Sequence, residues 1–318
     1  MIWKVCGLKV LRHGKHGRNN MRILITGGAG FLGSRLAEEL ILKKQKVALL
    51  VRKQDDLWRV NDLKNNIKIY FSEKDTGEAF KSFRPEAIIH LATDFGRGNY
   101  DPLKMIDTNI TFSVKILELC VKYKCNIFIN CSTCLPSEYN LYSASKNALL
   151  EIAKYYANNL NIRFTDVVLG YMFGEKDDAS KFIPYAIDSI IKGKTIKATK
   201  GLQKRDFVYV GNVANKLAEI IKNNISKKMF TRYRVSSGKM MTIRKFIVRI
   251  ENISKLKAKV IWGALPYKEN EVFGAGIFNN IPDIPFGKDK DIPLDLSLKK
   301  TVDWYFIERS KTKKLQRK

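Results

Sequence analysis

Met21-Arg22-Ile23-Leu24-Ile25-Thr26-Gly27-Gly28-Ala29-Gly30-Phe31-Leu32-Gly33 sets a short β-branched strand directly against three spaced glycines and the start of an amphipathic segment. Each glycine answers a different steric demand. Gly27 permits a tight turn, Gly30 removes a Cβ where backbone must approach a pyrophosphate, and Gly33 lets a helix lie close on the strand. The helix that opens at Phe31 turns the N–H groups of Phe31, Leu32 and Gly33 and the positive end of its dipole toward that spot. Strand, glycines and helix in this order read as a dinucleotide phosphate site, with Gly27, Gly30, Phe31, Leu32 and Gly33 as its contacts.

Outward from this loop the pattern alternates. Apolar strands are expected at about 22–26, 46–51, 67–71, 87–91, 126–131 and 163–169, with amphipathic helices at about 31–43, 76–83, 105–123 and 143–159. Alternation of this kind predicts an α/β fold, a doubly wound parallel sheet of Rossmann type with helices on both faces. Residues 21–170 form the expected nucleotide-binding domain, and 171–308 a smaller, mostly C-terminal substrate lobe interleaved with the sheet. That lobe includes helices near 180–192 and 211–222 and a closing helix over 296–306. Residues 1–20 read as a basic extension outside the fold and 309–318 as a basic tail. Ligands of such sheets bind at the carboxyl ends of the strands. The informative residues are therefore the glycine loop, Arg52-Lys53, Ala92-Thr93-Asp94 and Ser132-Thr133.

Composition narrows the class. The 318 residues are 45% hydrophobic and 28% charged, enough for a large core, and no apolar run nears the roughly 20 residues that cross a bilayer. Without a secretory pattern a cytoplasmic protein is expected. The net charge of +27, from 58 Lys+Arg against 31 Asp+Glu, favours anionic partners, yet no nucleic-acid motif accompanies it. Five cysteines, an odd number, point to free thiols. Cys131 and Cys134 have CxxC spacing, but Cys125 and Cys131 flank a strand and stand roughly 20 Å apart, too far for one tetrahedral ion. No metal is expected. At the end of the second strand, Arg52 and Lys53 suit a 2′-phosphate, whereas NAD sites usually carry an acid there; NADP is the first choice and NAD the second.

The chemistry is expected at Tyr142-Ser143-Ala144-Ser145-Lys146. At i and i+4 on a helix the phenol and ammonium share a face, and the cation eases phenolate formation from a pKa of about 10. A tyrosine so placed can exchange a proton with a substrate oxygen while a nicotinamide exchanges the hydride. Thr133, at the preceding strand end, can donate to the same oxygen.

These segments resemble the extended short-chain dehydrogenase/reductase superfamily, in its nucleotide-sugar epimerase, dehydratase and reductase branch, over most of residues 21–306. His90-Leu91-Ala92-Thr93 is similar to that family's fourth-strand motif, which implies cofactor contacts at Leu91, Ala92 and Thr93. Asn109 is similar to its helix asparagine, which helps hold the catalytic lysine through water. Lys204-Arg205-Asp206-Phe207 is similar to its later Arg-Asp-Phe motif, in which the arginine grips the substrate diphosphate. The resemblance thus implies Tyr142, Lys146, Thr133 and Asn109 as catalytic, Tyr142 and Lys146 also at the cofactor, and Thr133, Tyr142 and Arg205 at a nucleotide-diphospho-sugar. It further implies a homodimer through helices near 105–123 and 143–159, and a setting in bacterial surface-polysaccharide sugar synthesis.

Within the branch, dehydratases follow the threonine with an Asp-Glu pair, and here Cys134-Leu135 stand instead. The runs Ala92-Thr93-Asp94-Phe95-Gly96-Arg97, Asp56-Leu57-Trp58-Arg59 and Gly263-Ala264-Leu265-Pro266-Tyr267 resemble the CDP-linked 4-keto-6-deoxyhexose reductases of the abequose-synthase type. Reduction at C4 is therefore the first expectation and 4-epimerisation the second. A reading of another class is a nucleotide-sensing or nucleic-acid-binding protein that kept the fold without catalysis. Two departures bear on the sugar. Tyr171 stands where the family usually has an asparagine, and Val210-Gly211-Asn212-Val213 lacks its paired aspartates.

Overall fold

The computed structural model describes residues 20–96, 100–223, 228–269, 271–274, 280–285 and 290–315, without the side chains of 309–315. Most of the basic extension, Cys6, His13, His16, Arg97 and the last three residues of the tail fall outside the described residues.

Seven parallel strands make the main sheet: β1 (Arg22–Thr26), β2 (Lys46–Val51), β3 (Ile67–Phe71), β4 (Ala87–His90), β5 (Ile127–Thr133), β6 (Arg163–Leu169) and, after the short β7 (Tyr171–Phe173), β8 (Thr195–Ala198) and β9 (Lys204–Tyr209), the late strand β10 (Phe230–Val235). Their order is β10-β6-β5-β4-β1-β2-β3, so the winding reverses between β1 and β4. A crevice opens at such a reversal, beyond the strands' carboxyl ends, and the glycine loop and residues 91–94 are what lies there.

Helices cover both faces because strand residues alternate between two cores. Ile23 and Ile25 join one apolar cluster under α1 (Phe31–Leu42) and α7 (Val210–Asn223). Leu24 joins the other, under α4 (Phe112–Lys122) and α5 (Leu141–Asn159). The remaining helices are α2 (Thr76–Glu78), α3 (Pro102–Ile106), α6 (Phe182–Ile191), α8 (Ile243–Ser254) and α9 (Leu294–Leu315). Strands β7 and β9 pair with β11 (Met240–Thr242) in a small sheet, and β8 pairs with β12 (Lys259–Trp262).

Four elements depart from the sequence expectation. The helix expected at 76–83 is α2 followed by a π-helical turn at Ala79–Phe83. The single helix expected at 105–123 is α3, a π-helical turn at Asp107–Thr111, and α4 in succession. The turn takes up one extra residue and places Asn109 in it, buried. Strand β5 runs on to Thr133, because Asn130 and Ser132 are tied across to Asp166 of β6. The closing helix starts just past Pro293 and continues to Leu315, so the tail is helical that far. No glycine or proline in that stretch stops it.

Candidate active site

The glycine loop has the geometry its sequence demands. Gly27 is left-handed (φ +66°), and a Cβ on it would lie 2.9 Å from the Ala92 nitrogen. A Cβ on Gly33 would lie 2.4 Å from the Gly27 oxygen and 2.8 Å from Gly28 Cα. Gly28 is needed for packing, since its Cβ would strike Leu49 at 2.6 Å. Gly30 caps α1 without any side-chain hydrogen bond, so no side chain caps the first-turn N–H groups of Phe31, Leu32 and Gly33. A cradle closed to Cβ atoms, at a helix start without a side-chain cap, fits the pyrophosphate of a dinucleotide. Leu91 and Ala92 border it, their N–H groups held by Thr26 Oγ1 at 3.2 and 3.1 Å.

Arg52 follows β2 as expected, but it is engaged. Asp55 receives its Nε (2.9 Å), a terminal nitrogen (2.7 Å) and its backbone N–H (2.9 Å). Sequence reading passed over Asp55 because it lies three residues beyond the marker position.

Helix α5 begins at a capping box. Asn140 accepts from the Ser143 N–H (2.9 Å), and Ser143 Oγ accepts from the Asn140 N–H (3.2 Å). This fixes Tyr142 in the first turn, half-buried, its ring 4.9 Å from that of Phe95. Lys146, one turn on, is 2% exposed. Burial depresses its ammonium pKa, while Cys131 and Asp166 act in the opposite sense. Asp166 is itself held by Asn130, Ser132 and Arg232 at 2.8, 2.8 and 3.1 Å. Thr133 ends β5, 8% exposed, and its Oγ1 accepts from the Leu135 N–H (3.2 Å). Asn109 is fastened through its side chain: Oδ1 accepts from Thr93 Oγ1 (3.0 Å) and Asp94 N (2.8 Å), and Nδ2 donates to Asp94 O (3.0 Å) and Ser145 Oγ (2.9 Å). Thr93, expected at the cofactor, is thus a partner of Asn109. Ser145, a link from the Asn109 turn into the Tyr142 helix, was legible only as one of two serines between tyrosine and lysine.

Arg205 of β9 is 5% exposed and has partners within the chain. Its guanidinium donates to Glu271 and to the carbonyls of Val272 and Lys204, and lies 4.8 Å from the centre of the Tyr171 ring. Glu271 is 66 residues away in sequence, so no local signal announced it. Burial raises the Cys134 thiol to about 11, Arg205 and Asp206 being its charged neighbours. Among the described residues no group of three His, Cys, Asp or Glu is placed to hold a metal ion, and no helix is long and apolar enough to cross a membrane. Asn212, where the paired aspartates were missed, clamps both backbone groups of Ile292 ahead of α9.

His90 carries a testable consequence of its burial. Desolvation first, and Lys146 second, push the imidazole down to about 3, against about 6.5 in an unfolded chain. Between those values the unfolded chain binds a proton that the folded one refuses. Stability therefore falls as pH drops through that window, by up to about 1.4 kcal/mol per pH unit. Denaturant titrations from neutral pH downward are expected to show a shallower decline for His90→Gln than for wild type. Parallel declines would mean that His90 takes up its proton in the folded state.

A glycine loop at the reversal of a parallel sheet, and a tyrosine and a lysine one helical turn apart on α5, are the features of an extended short-chain dehydrogenase/reductase, an enzyme class. Residues 23–235 match the NAD dependent epimerase/dehydratase family, and the chain belongs to that family. It is 30% identical over 267 residues to a CDP-abequose synthase of Salmonella typhimurium, covering 79% of this chain and 87% of that one. It is 28% identical to a putative UDP-glucose 4-epimerase of Methanocaldococcus jannaschii, over 89% and 97% of the two chains. Among solved structures, a UDP-N-acetylglucosamine 4-epimerase from Methanobrevibacter ruminantium superposes with a TM-score of 0.78 at 20% identity, over 92% of this chain and all of that one. A Thermus thermophilus UDP-glucose 4-epimerase in complex with NAD superposes at 0.76 and 20% identity, over 90% and 99%.

Proposed function

We propose that the chain reduces the C4 ketone of a nucleotide-diphospho-4-keto-6-deoxyhexose, with NADP(H) as its cofactor. The observation that carries this is the joint placement of Tyr142, Lys146 and Thr133 at one end of the sheet, with Cys134 and Leu135 following the threonine. A thiol at about 11 stays protonated at neutral pH and leucine has no proton to give, so the acid/base pair of a dehydratase is missing. The likeness to a CDP-abequose synthase supports reduction.

When bound, the reduced nicotinamide supplies a hydride; Gly27, Gly30, Phe31, Leu32, Gly33, Leu91, Ala92 and Thr93 would hold the cofactor, with Arg52 at its 2′-phosphate. Tyr142 gives its proton to the oxygen that gains charge at C4, and Thr133 donates to the same oxygen. Lys146 offers its ammonium to the tyrosine oxygen and the ribose, while Asn109 and Ser145 keep the first turn of α5 in place. Arg205 receives the substrate diphosphate as Glu271 releases it, because its planar fork suits phosphate oxygens as well as a carboxylate.

Oxidation of NADPH on mixing with a CDP-linked 4-keto-6-deoxyhexose, and with its dTDP and UDP counterparts, tests the reading. Consumption in step with ketone loss is expected with at least one of them. Interconversion of 4-hydroxy isomers without net consumption would establish the second reading, the 4-epimerase. Arg52 has five N–H donors and Asp55 takes only part of them, so the others remain for a 2′-phosphate. Arg52→Ala is expected to raise the KM for NADPH about tenfold and leave that for NADH unchanged, a loss of one charged hydrogen bond. An equal change for both cofactors would remove Arg52 from the 2′-phosphate site.

A further inference from the structure

One buried chain of hydrogen bonds joins the dinucleotide loop to the π-helical turn. Thr26, the residue before Gly27, has its Oγ1 2.8 Å from His90 Nδ1. His90 Nε2 is 2.8 Å from Ser113 Oγ, and Ser113 Oγ donates to the Asn109 carbonyl at 2.9 Å. Thr26, His90, Asn109 and Ser113 are each no more than 1% exposed. From Asn109 the connection continues through Ser145 Oγ, which donates to the Tyr142 carbonyl at 2.9 Å.

The protons in this chain are determined by counting. Thr26 Oγ1 accepts the Ala92 N–H at 3.1 Å and a share of the Leu91 N–H, whose other acceptor is the Thr26 carbonyl at 3.1 Å, which leaves its own O–H for His90 Nδ1. The Ser113 O–H goes to the Asn109 carbonyl, so Ser113 Oγ must accept from His90 Nε2–H. His90 is therefore neutral and protonated on Nε2 alone. An imidazolium would direct its Nδ1–H at a threonine oxygen that already takes the Ala92 N–H and part of the Leu91 N–H. The rings of Phe112 and Phe128, at 6.1 and 5.6 Å, hold the imidazole plane from the sides.

We propose that His90 is a positioning residue whose Nε2–H tautomer fastens the cofactor loop to the Asn109 turn, so that phosphate cradle and Tyr142 helix are held in one register. The proposal rests on reading the glycine loop as a nicotinamide-dinucleotide site and is independent of the sugar substrate. His90 contacts neither cofactor nor substrate; it acts through Thr26 at one end and Ser113 at the other. Ser113→Ala cuts the chain at its far end and leaves every group at the loop in place.

The test is two measurements on the full chain. Nitrogen-15 spectra of the imidazoles, only three in the sequence, with the His90 signals assigned by their loss in His90→Gln, are expected to show a single neutral Nε2–H tautomer at neutral pH. Titration of NADPH and NADH, followed by nicotinamide fluorescence, is expected to show about tenfold weaker binding of the preferred cofactor to Ser113→Ala, the cost of one buried hydrogen bond. His90→Phe should lose at least as much, and His90→Gln, which still offers one acceptor and one donor, should recover part of it. An Nδ1–H tautomer, an averaged imidazole, or a Ser113→Ala protein of lower melting temperature with unchanged cofactor affinity would overturn the proposal. Wild-type protein that binds neither cofactor would instead overturn the site reading beneath it, even with the tautomer as expected.

Discussion

Replacing Tyr142 by phenylalanine is expected to lower kcat by about 10²- to 10⁴-fold, the usual contribution of a positioned general acid. The phenyl ring keeps its packing on Phe95, 4.9 Å away, and the capping box that starts α5 is made by Asn140 and Ser143 rather than by Tyr142. Melting temperature and cofactor affinity should therefore stay close to wild type. Loss of rate with retained cofactor binding would place the effect on proton delivery. Equal rates in the two proteins would mean that the phenol does not take part, and another acid would have to be sought.

Gly33→Ala is expected to be the most damaging single methyl group in the nucleotide-binding half. The added carbon would sit 2.4 Å from the Gly27 oxygen and 2.8 Å from Gly28 Cα, all backbone atoms of a tight turn that cannot swing aside. Overpacking of this kind costs about 1–3 kcal/mol, and the same displacement opens the cradle. Cofactor affinity should drop by about ten- to a hundredfold, the equivalent of an overpacking cost of that size borne by the cradle. Gly77→Ala is the control: its Cβ would meet no atom within 4 Å, and the change should be neutral or slightly stabilising. Comparable cofactor affinity in Gly33→Ala and wild type would show that the close approach of α1 to the loop is not what shapes the phosphate site.

What could be read before the structure follows from the range over which each signal acts. The glycine loop, the alternation of strands and helices, and the Tyr142/Lys146 pair depend on neighbours a few residues apart, and those steric rules operate locally. The interruption at Asn109 was not legible, because a π-helical turn has nearly the same apolar period as the helix around it; only the partners at Asp94 and Ser145 show why it is there. The pairs that set the electrostatics are longer in range. Arg205 with Glu271, Asp166 with Arg232 and Ser132, and His90 with Thr26 and Ser113 come from separate elements: strand order brings Asp166 to Arg232 and Ser132 and Thr26 to His90, while Ser113 comes from α4 and Glu271 from the segment after β12. Asp55 shows a subtler limit. It is close to Arg52 in sequence, yet the turn after β2 decides that it, rather than solvent, receives the guanidinium.

The most direct measurement of the central claim is isotope transfer from NADPH carrying deuterium at both positions of nicotinamide C4 to a 4-keto-6-deoxyhexose nucleotide, read by NMR of the sugar product. The account predicts deuterium on C4 of the sugar, one per cofactor oxidised, in wild-type protein, with the same label appearing far more slowly in Tyr142→Phe. A C4-hydroxy sugar product formed by wild-type protein without deuterium at C4 would contradict reduction at C4 by this site.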